Sequence, residues 1–223
     1  MDGSYIFLAG ASRGVGLEIA KLLGEQQQPV VALLRSPDAG PELEAMGIKI
    51  VMGDALDAAG MERAMQAQPV STVISTIGGL PQGGERPDYL GNKNLIDAAA
   101  IAGVRKFILV SSIGTGNSKI ALSPQALETL EAVLIEKGKA EQHLINSGVT
   151  YTVVRPGGLK SEPATGQGVL TEDPTVAGMI HRPDVAQLVC QCLASDRANN
   201  KILAAIDRQQ LFGEIQFEEF SLT

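Results

Sequence analysis

Short apolar runs and helical patterns alternate along the whole chain. Residues 5–9, 30–34, 48–52, 72–75, 107–110, 152–154 and 202–206 form seven nearly continuous apolar runs. That is the pattern of strands buried on both faces of a parallel sheet. Helical periodicity falls between them, over residues 16–25, 41–46, 61–66, 87–102, 124–147 and 184–194. Ser123-Pro124 reads as an N-cap followed by proline at the first helical position, and Gly148 as the residue just past the end of the same helix. Asp184, after Pro183, reads as another N-cap. The alternation implies crossover connections and an α/β, Rossmann-type, doubly wound sheet. About seven mostly parallel strands are expected in the order 3-2-1-4-5-6-7, with a small C-terminal lobe on the substrate side. No repeat, linker or low-complexity tract divides the chain, so residues 1–223 are expected to form one domain.

Two connections are longer than a crossover needs: residues 77–85, with glycines at 78, 79, 83 and 84, and residues 157–180. Both follow strands and so lie over the carboxyl ends of the sheet, where open α/β sheets bind ligands. The first strand runs into Gly10-Ala11-Ser12-Arg13-Gly14-Val15-Gly16, which opens an amphipathic helix. Gly10 permits a sharp reversal, Gly14 lets a backbone approach a pyrophosphate, and Gly16 lets the helix pack tightly on the strand. The helix N-terminus offers free N–H groups and the positive end of its dipole to phosphates. A bare glycine turn is weak evidence. The strand before it, the helix after it, and the hydroxyl of Ser12 and cation of Arg13 within it make a dinucleotide the expected ligand.

The second strand ends in Arg35-Ser36. A site for NAD carries an acidic residue there to accept from the ribose 2′-hydroxyl; the nearest carboxylate here is Asp38. A guanidinium suits the 2′-phosphate of NADP instead, with Arg13 as a second contact.

Composition narrows the field. Hydrophobic residues make up 44% and charged residues 19%, an ordinary globular balance, and aromatics only 4%, so the core is mostly aliphatic. The net charge of −7 repels phosphate backbones and argues against nucleic acid as partner. Cys190 and Cys192 are too few ligands for structural zinc and read as small buried side chains. No apolar run reaches the roughly 18 residues of a membrane span, and the first residues lack a signal-peptide pattern, so a cytoplasmic location is expected.

Several segments in order resemble a known family: Gly10 to Gly16, Arg35, Gly53-Asp54, Ser75-Thr76-Ile77-Gly78, Asp88-Tyr89-Leu90-Gly91-Asn92-Lys93-Asn94-Leu95, Val110-Ser111-Ser112, and Tyr151-Thr152-Val153-Val154-Arg155-Pro156-Gly157-Gly158-Leu159. Together they resemble the atypical, NmrA-like, NAD(P)-binding short-chain dehydrogenases/reductases, over residues 5 to about 206. The resemblance implies that Asp54 and Ala55 lie near the adenine and that Ser75, Thr76, Ile77 and Gly78 line the adenosine ribose. It adds Lys93 to the cofactor contacts. Ser111 and Ser112 would sit near the nicotinamide, Lys137 would hold the nicotinamide ribose, and Pro156, Gly157 and Gly158 would pass the nicotinamide ring. Read without the family, Lys137 stands in an apolar helical stripe of Leu130, Val133, Ala140 and Leu144, an unusual place for a lysine without a task.

One departure matters. The family's reductases carry a proton-donating tyrosine four residues before that lysine, and the residue here is Val133. Tyr5 and Tyr151 start strands, at the wrong end of the sheet; Tyr89 stands at the right end but reads as packing. His143 and His181 read as structural. Two classes follow. One is an NADPH-dependent reductase of a small molecule, with Lys137, Ser111 and Ser112 as the chemical residues and the proton coming from serine, water or substrate. The other is a non-catalytic NADP(H) redox sensor or an assembly or regulatory factor. The tail over residues 211–222 alternates weakly, as an added strand or a subunit contact would; a homodimer or protein partner stays open. No metal is expected.

One charge-assisted hydrogen bond is worth roughly 1.5–3 kcal/mol, about ten- to a hundred-fold in affinity. Arg35→Ala is therefore expected to lose most of the preference for NADPH over NADH. Titrating both nucleotides against both proteins checks this, and an unchanged ratio refutes it.

Overall fold

The computed structural model describes residues 3–79 and 86–223. Met1, Asp2 and residues 80–85 of the first glycine-rich loop, with Gly83 and Gly84, lie outside the described residues. One eight-stranded sheet forms the centre. Strands β1 (Tyr5–Ala9), β2 (Val30–Leu34), β3 (Lys49–Met52), β4 (Val70–Ser75), β5 (Lys106–Val110) and β6 (Tyr151–Pro156) lie in the order β3-β2-β1-β4-β5-β6 and are all parallel. The expected seventh strand follows, parallel to β6, as β10 (Lys201–Asp207).

The connection over residues 157–180, expected as a loop, holds three short strands: β7 (Gly158–Lys160), β8 (Gly168–Thr171) and β9 (Met179–His181). β8 joins the main sheet antiparallel to β10, and β7 pairs with β9 in a separate ribbon. Three- and four-residue strands are too short to show a period, so only tertiary pairing identifies them. The tail forms no strand. It lies along β8, where the Phe220 N–H donates to Leu170 O at 2.7 Å and Thr171 Oγ1 donates to Glu218 O at 2.8 Å.

Helices cover both faces. α1 (Gly14–Glu25), α2 (Gly40–Ala45) and α6 (Arg182–Ala194) enclose one aliphatic core with Leu8, Ile74 and Val154. α3 (Ala58–Gln66), α4 (Leu90–Ile101) and α5 (Pro124–Asn146) enclose the other, around Phe7, Val73 and Phe107. Side chains alternate across each strand, so Phe7 and Leu8 feed opposite cores, and both faces must be apolar. No helix among the described residues is long and apolar enough to cross a membrane.

Helix ends test the capping expectations. Ser123 Oγ accepts from the Ala126 N–H at 3.2 Å, and Gly148, at φ +79, follows the C-cap of α5, as expected. α4 starts at Leu90, three residues later than expected; Asp88, just before it, is fully buried and its carbonyl accepts from Asn92 Nδ2 at 2.7 Å. Asp184 does not cap α6, which begins at Arg182. Its carboxylate instead accepts from the N–H groups of Thr165 and Gly166, both at 2.9 Å, and holds that bend of the connection. Thr165 Oγ1 also donates to Asp207 Oδ2 at 2.7 Å. Cys192 is buried and Cys190 half-buried; both are free thiols, and burial pushes them up to about 12 and about 11.

Burial works against the charge of Asp207, but hydrogen bonds from Thr165, the Gln209 N–H and Gln210 outweigh it and hold its carboxyl below the ordinary value. A depressed folded-state pKa gives stability that is present above the unfolded value, near 4, and is lost as pH falls through the folded one. Urea denaturation against pH is expected to show a smaller acid loss in Asp207→Asn than in the wild type; identical slopes refute it.

Candidate functional site

The turn from Gly10 to Gly16 lies where β1 and β4 end side by side, with Ala9 level with Ser75. β2 lies on the other side of β1, so crossovers leave β1 and β4 in opposite directions and open a crevice there. Gly10 stands at φ +91. A Cβ on Gly16 would overlap the Gly10 carbonyl oxygen and lie 2.6 Å from Thr76 Oγ1. Thr76 closes the corner, its N–H donating to Ala9 O at 2.9 Å and its hydroxyl to Gly10 O at 3.1 Å. No side chain caps α1, and no acidic residue stands in its first turn. The first N–H groups of α1 thus face outward uncompensated, a fit for an anion.

Other expected contacts surround this corner. Ser12, Arg13, Arg35 and Ser36 are exposed, Val15 and Ala11 buried. The Arg13 guanidinium reaches 3.6 Å from where a Gly79 Cβ would stand. Ser36 Oγ donates to Asp38 Oδ2 at 2.5 Å. Asp54 accepts from the Leu56 N–H at 3.0 Å, and Ala55 O accepts from Asn94 Nδ2 at 2.9 Å. Ser75 Oγ donates to Asn92 Oδ1 at 2.6 Å, and Asn92 Nδ2 donates to Ile77 O at 3.2 Å. Asn92 and Asn94 brace the tips of β4 and β3 from α4; nothing in the spacing alone marked them. Lys93 ion-pairs with Asp97 at 2.6 Å, and the other oxygen of Asp97 meets His143 Nε2 at 2.6 Å.

At the far end stands Lys137. The expected stripe holds only in part: Ala140 and Leu144 are buried, Val133 is half-buried, and Leu130 is 39% exposed because the first half of α5 stands clear of the sheet. Lys137 Nζ lies 3.6 Å from Asp88 Oδ1, and Arg86 Nε lies 3.5 Å from Asp88 Oδ2. Asp88 is fully buried and neither carboxylate oxygen has a hydrogen bond. Gly78 faces the pair, its would-be Cβ 2.7 Å from Asp88 Oδ1 and 3.0 Å from Lys137 Nζ. Burial lowers the Lys137 pKa, and Asp88 pulls the other way. The sequence reading missed Asp88; a carboxylate beside a tyrosine and a proline carries no local signal of burial.

One helical turn beyond Lys137, Glu141 organises a second buried cluster. Arg155 of β6 donates to it twice, at 3.1 and 2.7 Å; Thr115 donates at 2.7 Å, and Ser111 also donates. Arg155 Nη1 reaches Asn117 Oδ1 at 2.7 Å. Removing one member of such a buried pair typically costs about 3–5 kcal/mol. Ser111 is thus buried with its hydroxyl committed, while the half-exposed Ser112 donates to Ile113 O at 2.9 Å. Pro156 ends β6. Gly157 and Gly158 press against Gly178 and Met179, so close packing with β9 itself accounts for two glycines. Tyr89 meets the His143 ring edge-on at 6.5 Å, a packing contact. His181 Nδ1 donates to Pro163 O at 2.7 Å, so its Nε2 accepts from Gln210 at 3.3 Å.

Residues 10–196 match the model of the family described as NAD(P)H-binding. The chain is an atypical, NmrA-like member of the NAD(P)H-binding short-chain dehydrogenases/reductases. Its relatives include the uncharacterized sugar epimerase YhfK of Bacillus subtilis, 32% identical over 88% of this chain and 91% of that one. Sanguinarine reductase of Eschscholzia californica is 35% identical over 58% of this chain and 48% of that enzyme. Among solved structures, ChuY, an anaerobillin reductase from Escherichia coli O157:H7, superposes with a TM-score of 0.85 at 33% identity, over 95% of this chain and all of that one. The family binds a nicotinamide cofactor, and the open α1 N-terminus fits its phosphates.

Asp88 raises the Lys137 pKa, so removing its charge lowers it further. Asp88→Asn is expected to move the NMR titration of the Lys137 side chain to lower pH than in the wild type. A shift to higher pH, or none, refutes the pairing.

Proposed function

We propose that this protein is an NADPH-dependent reductase of a conjugated small molecule, working as one 1–223 domain in the cytoplasm without the family's tyrosine. The carrying observation is Lys137, held 3.6 Å from a fully buried Asp88 on the helix where the resemblance would put the residue that holds the nicotinamide ribose. A protein that only sensed the cofactor would need the adenosine half alone.

Ser12, Arg13, Arg35 and Ser36 would hold the 2′-phosphate end. Asp54, Ala55 and Ser75 to Ile77 would line the adenosine, with Lys93 at the edge of that half; Gly78, expected there as well, faces Asp88 and Lys137 and would stand with Lys137, Ser112 and the 156–158 segment on the nicotinamide side. Bound there, the dihydronicotinamide supplies a hydride. Lys137 holds a proton at Nζ beside that end, and its lowered pKa brings it nearer to giving that proton up at neutral pH. Val133, at the position of the family's phenol, has no proton to transfer. Ser111 serves by fixing Glu141 and so the turn of α5 that carries Lys137. The names of two relatives, an anaerobillin reductase and a sanguinarine reductase, support an extended, conjugated acceptor.

NADPH oxidation, followed optically across tetrapyrroles, quinones and sanguinarine, tests this. Turnover of at least one is expected, with Lys137→Met lowering kcat/KM by about a hundred-fold or more. Tight NADPH binding with silence across the panel favours the sensor or assembly factor that Val133 also allows.

A further inference from the structure

α6 starts beside α1, and its first residue, Arg182, leans over the phosphate turn. A Cβ on Gly14 would stand 3.6 Å from Arg182 Nε and 3.9 Å from its Cδ. Gly14 is the first residue of α1, at φ +60, where the uncapped N–H groups begin. Arg182 is a residue of intermediate burial whose guanidinium makes one hydrogen bond among the described residues, from Nη1 to Ser161 Oγ at 2.7 Å, an exposed contact. No carboxylate among the described residues pairs with it. The nearby Asp184 is occupied by Thr165 and Gly166. In a chain with 25 acidic and 18 basic residues, a cation beside a helix N-terminus with no acid paired to it adds to the positive potential there and is open to an anion. Arginine carries five N–H donors in a planar fork, so four remain for an oxyanion.

We propose that Arg182 is a phosphate-contacting residue, closing on the dinucleotide's pyrophosphate from the side opposite the Gly10–Gly16 backbone while Ser161 steadies its fork. Arg13 flanks the same turn from the side of Gly79. Because Ser161 belongs to the 157–180 connection, the contact also ties that segment to the occupied site. The inference rests on the reading of the turn as a dinucleotide site.

Calorimetric titration of NADPH, NADH and 2′-AMP, which lacks the pyrophosphate, separates the possibilities. Arg182→Gln is expected to weaken NADPH and NADH alike by about ten- to a hundred-fold, the worth of a charge-assisted hydrogen bond, and to leave 2′-AMP unchanged. The NADPH-to-NADH ratio stays at the wild-type value, unlike in a variant at the 2′-phosphate end. Arg182→Lys keeps the charge and loses the fork; a several-fold loss confined to the dinucleotides is expected there, which keeps the test valid if Arg182→Gln does not fold. Wild-type affinity for NADPH in the folded variants overturns the proposal, and so does an equal loss of 2′-AMP. Wild-type protein that takes up neither dinucleotide overturns the reading of the turn itself.

Discussion

The rest of the site depends on one close approach, the seating of α1 against the end of β1. Gly16 stands against the Gly10 carbonyl, and the Thr76 hydroxyl fills the space between them. A methyl group at Gly16 would force the helix away from the sheet. That packing points the α1 N-terminus at the crevice between β1 and β4 and leaves its N–H groups uncapped. The open helix end is thus a consequence of backbone contact, and the side chains of Arg13 and Arg182 stand beside it.

At the other end, buried charge replaces close packing. Asp88 with Lys137, and Glu141 with Arg155, place two ion pairs near α5, a turn apart at Lys137 and Glu141. Such pairs are weak contributors to net stability but strongly penalise any arrangement that separates them. They hold α5 against β6 and the residues before α4, and so set where Lys137 stands. The two pairs differ in completeness. Glu141 accepts from Arg155, Thr115 and Ser111, whereas the Asp88 oxygens have cations nearby and no hydrogen bond. The second arrangement is the looser, and it is the one that touches the proposed reacting end.

Most of the fold was legible because its signals are local. Seven apolar runs became seven parallel strands, since burial on both faces demands continuous apolar sequence. Ser123 and Gly148 marked the ends of α5 through the chemistry of the cap and of positive φ. The glycine turn was legible for the same reason. β7, β8 and β9 were not, being too short to carry a period, and Asp184 misled because a capping residue can be recruited by a distant loop.

The sequence by itself determined the seven parallel strands of the sheet, the glycine turn for a nucleotide and the absence of a tyrosine at position 133, because each is a property of neighbouring residues. Only the tertiary structure decided that Asp88 is buried against Lys137, that Ser111 is bound to Glu141, and that Arg182 stands over Gly14. Those contacts join residues 30 to nearly 170 positions apart. Their geometry comes from how helices cross the sheet, which no local pattern encodes.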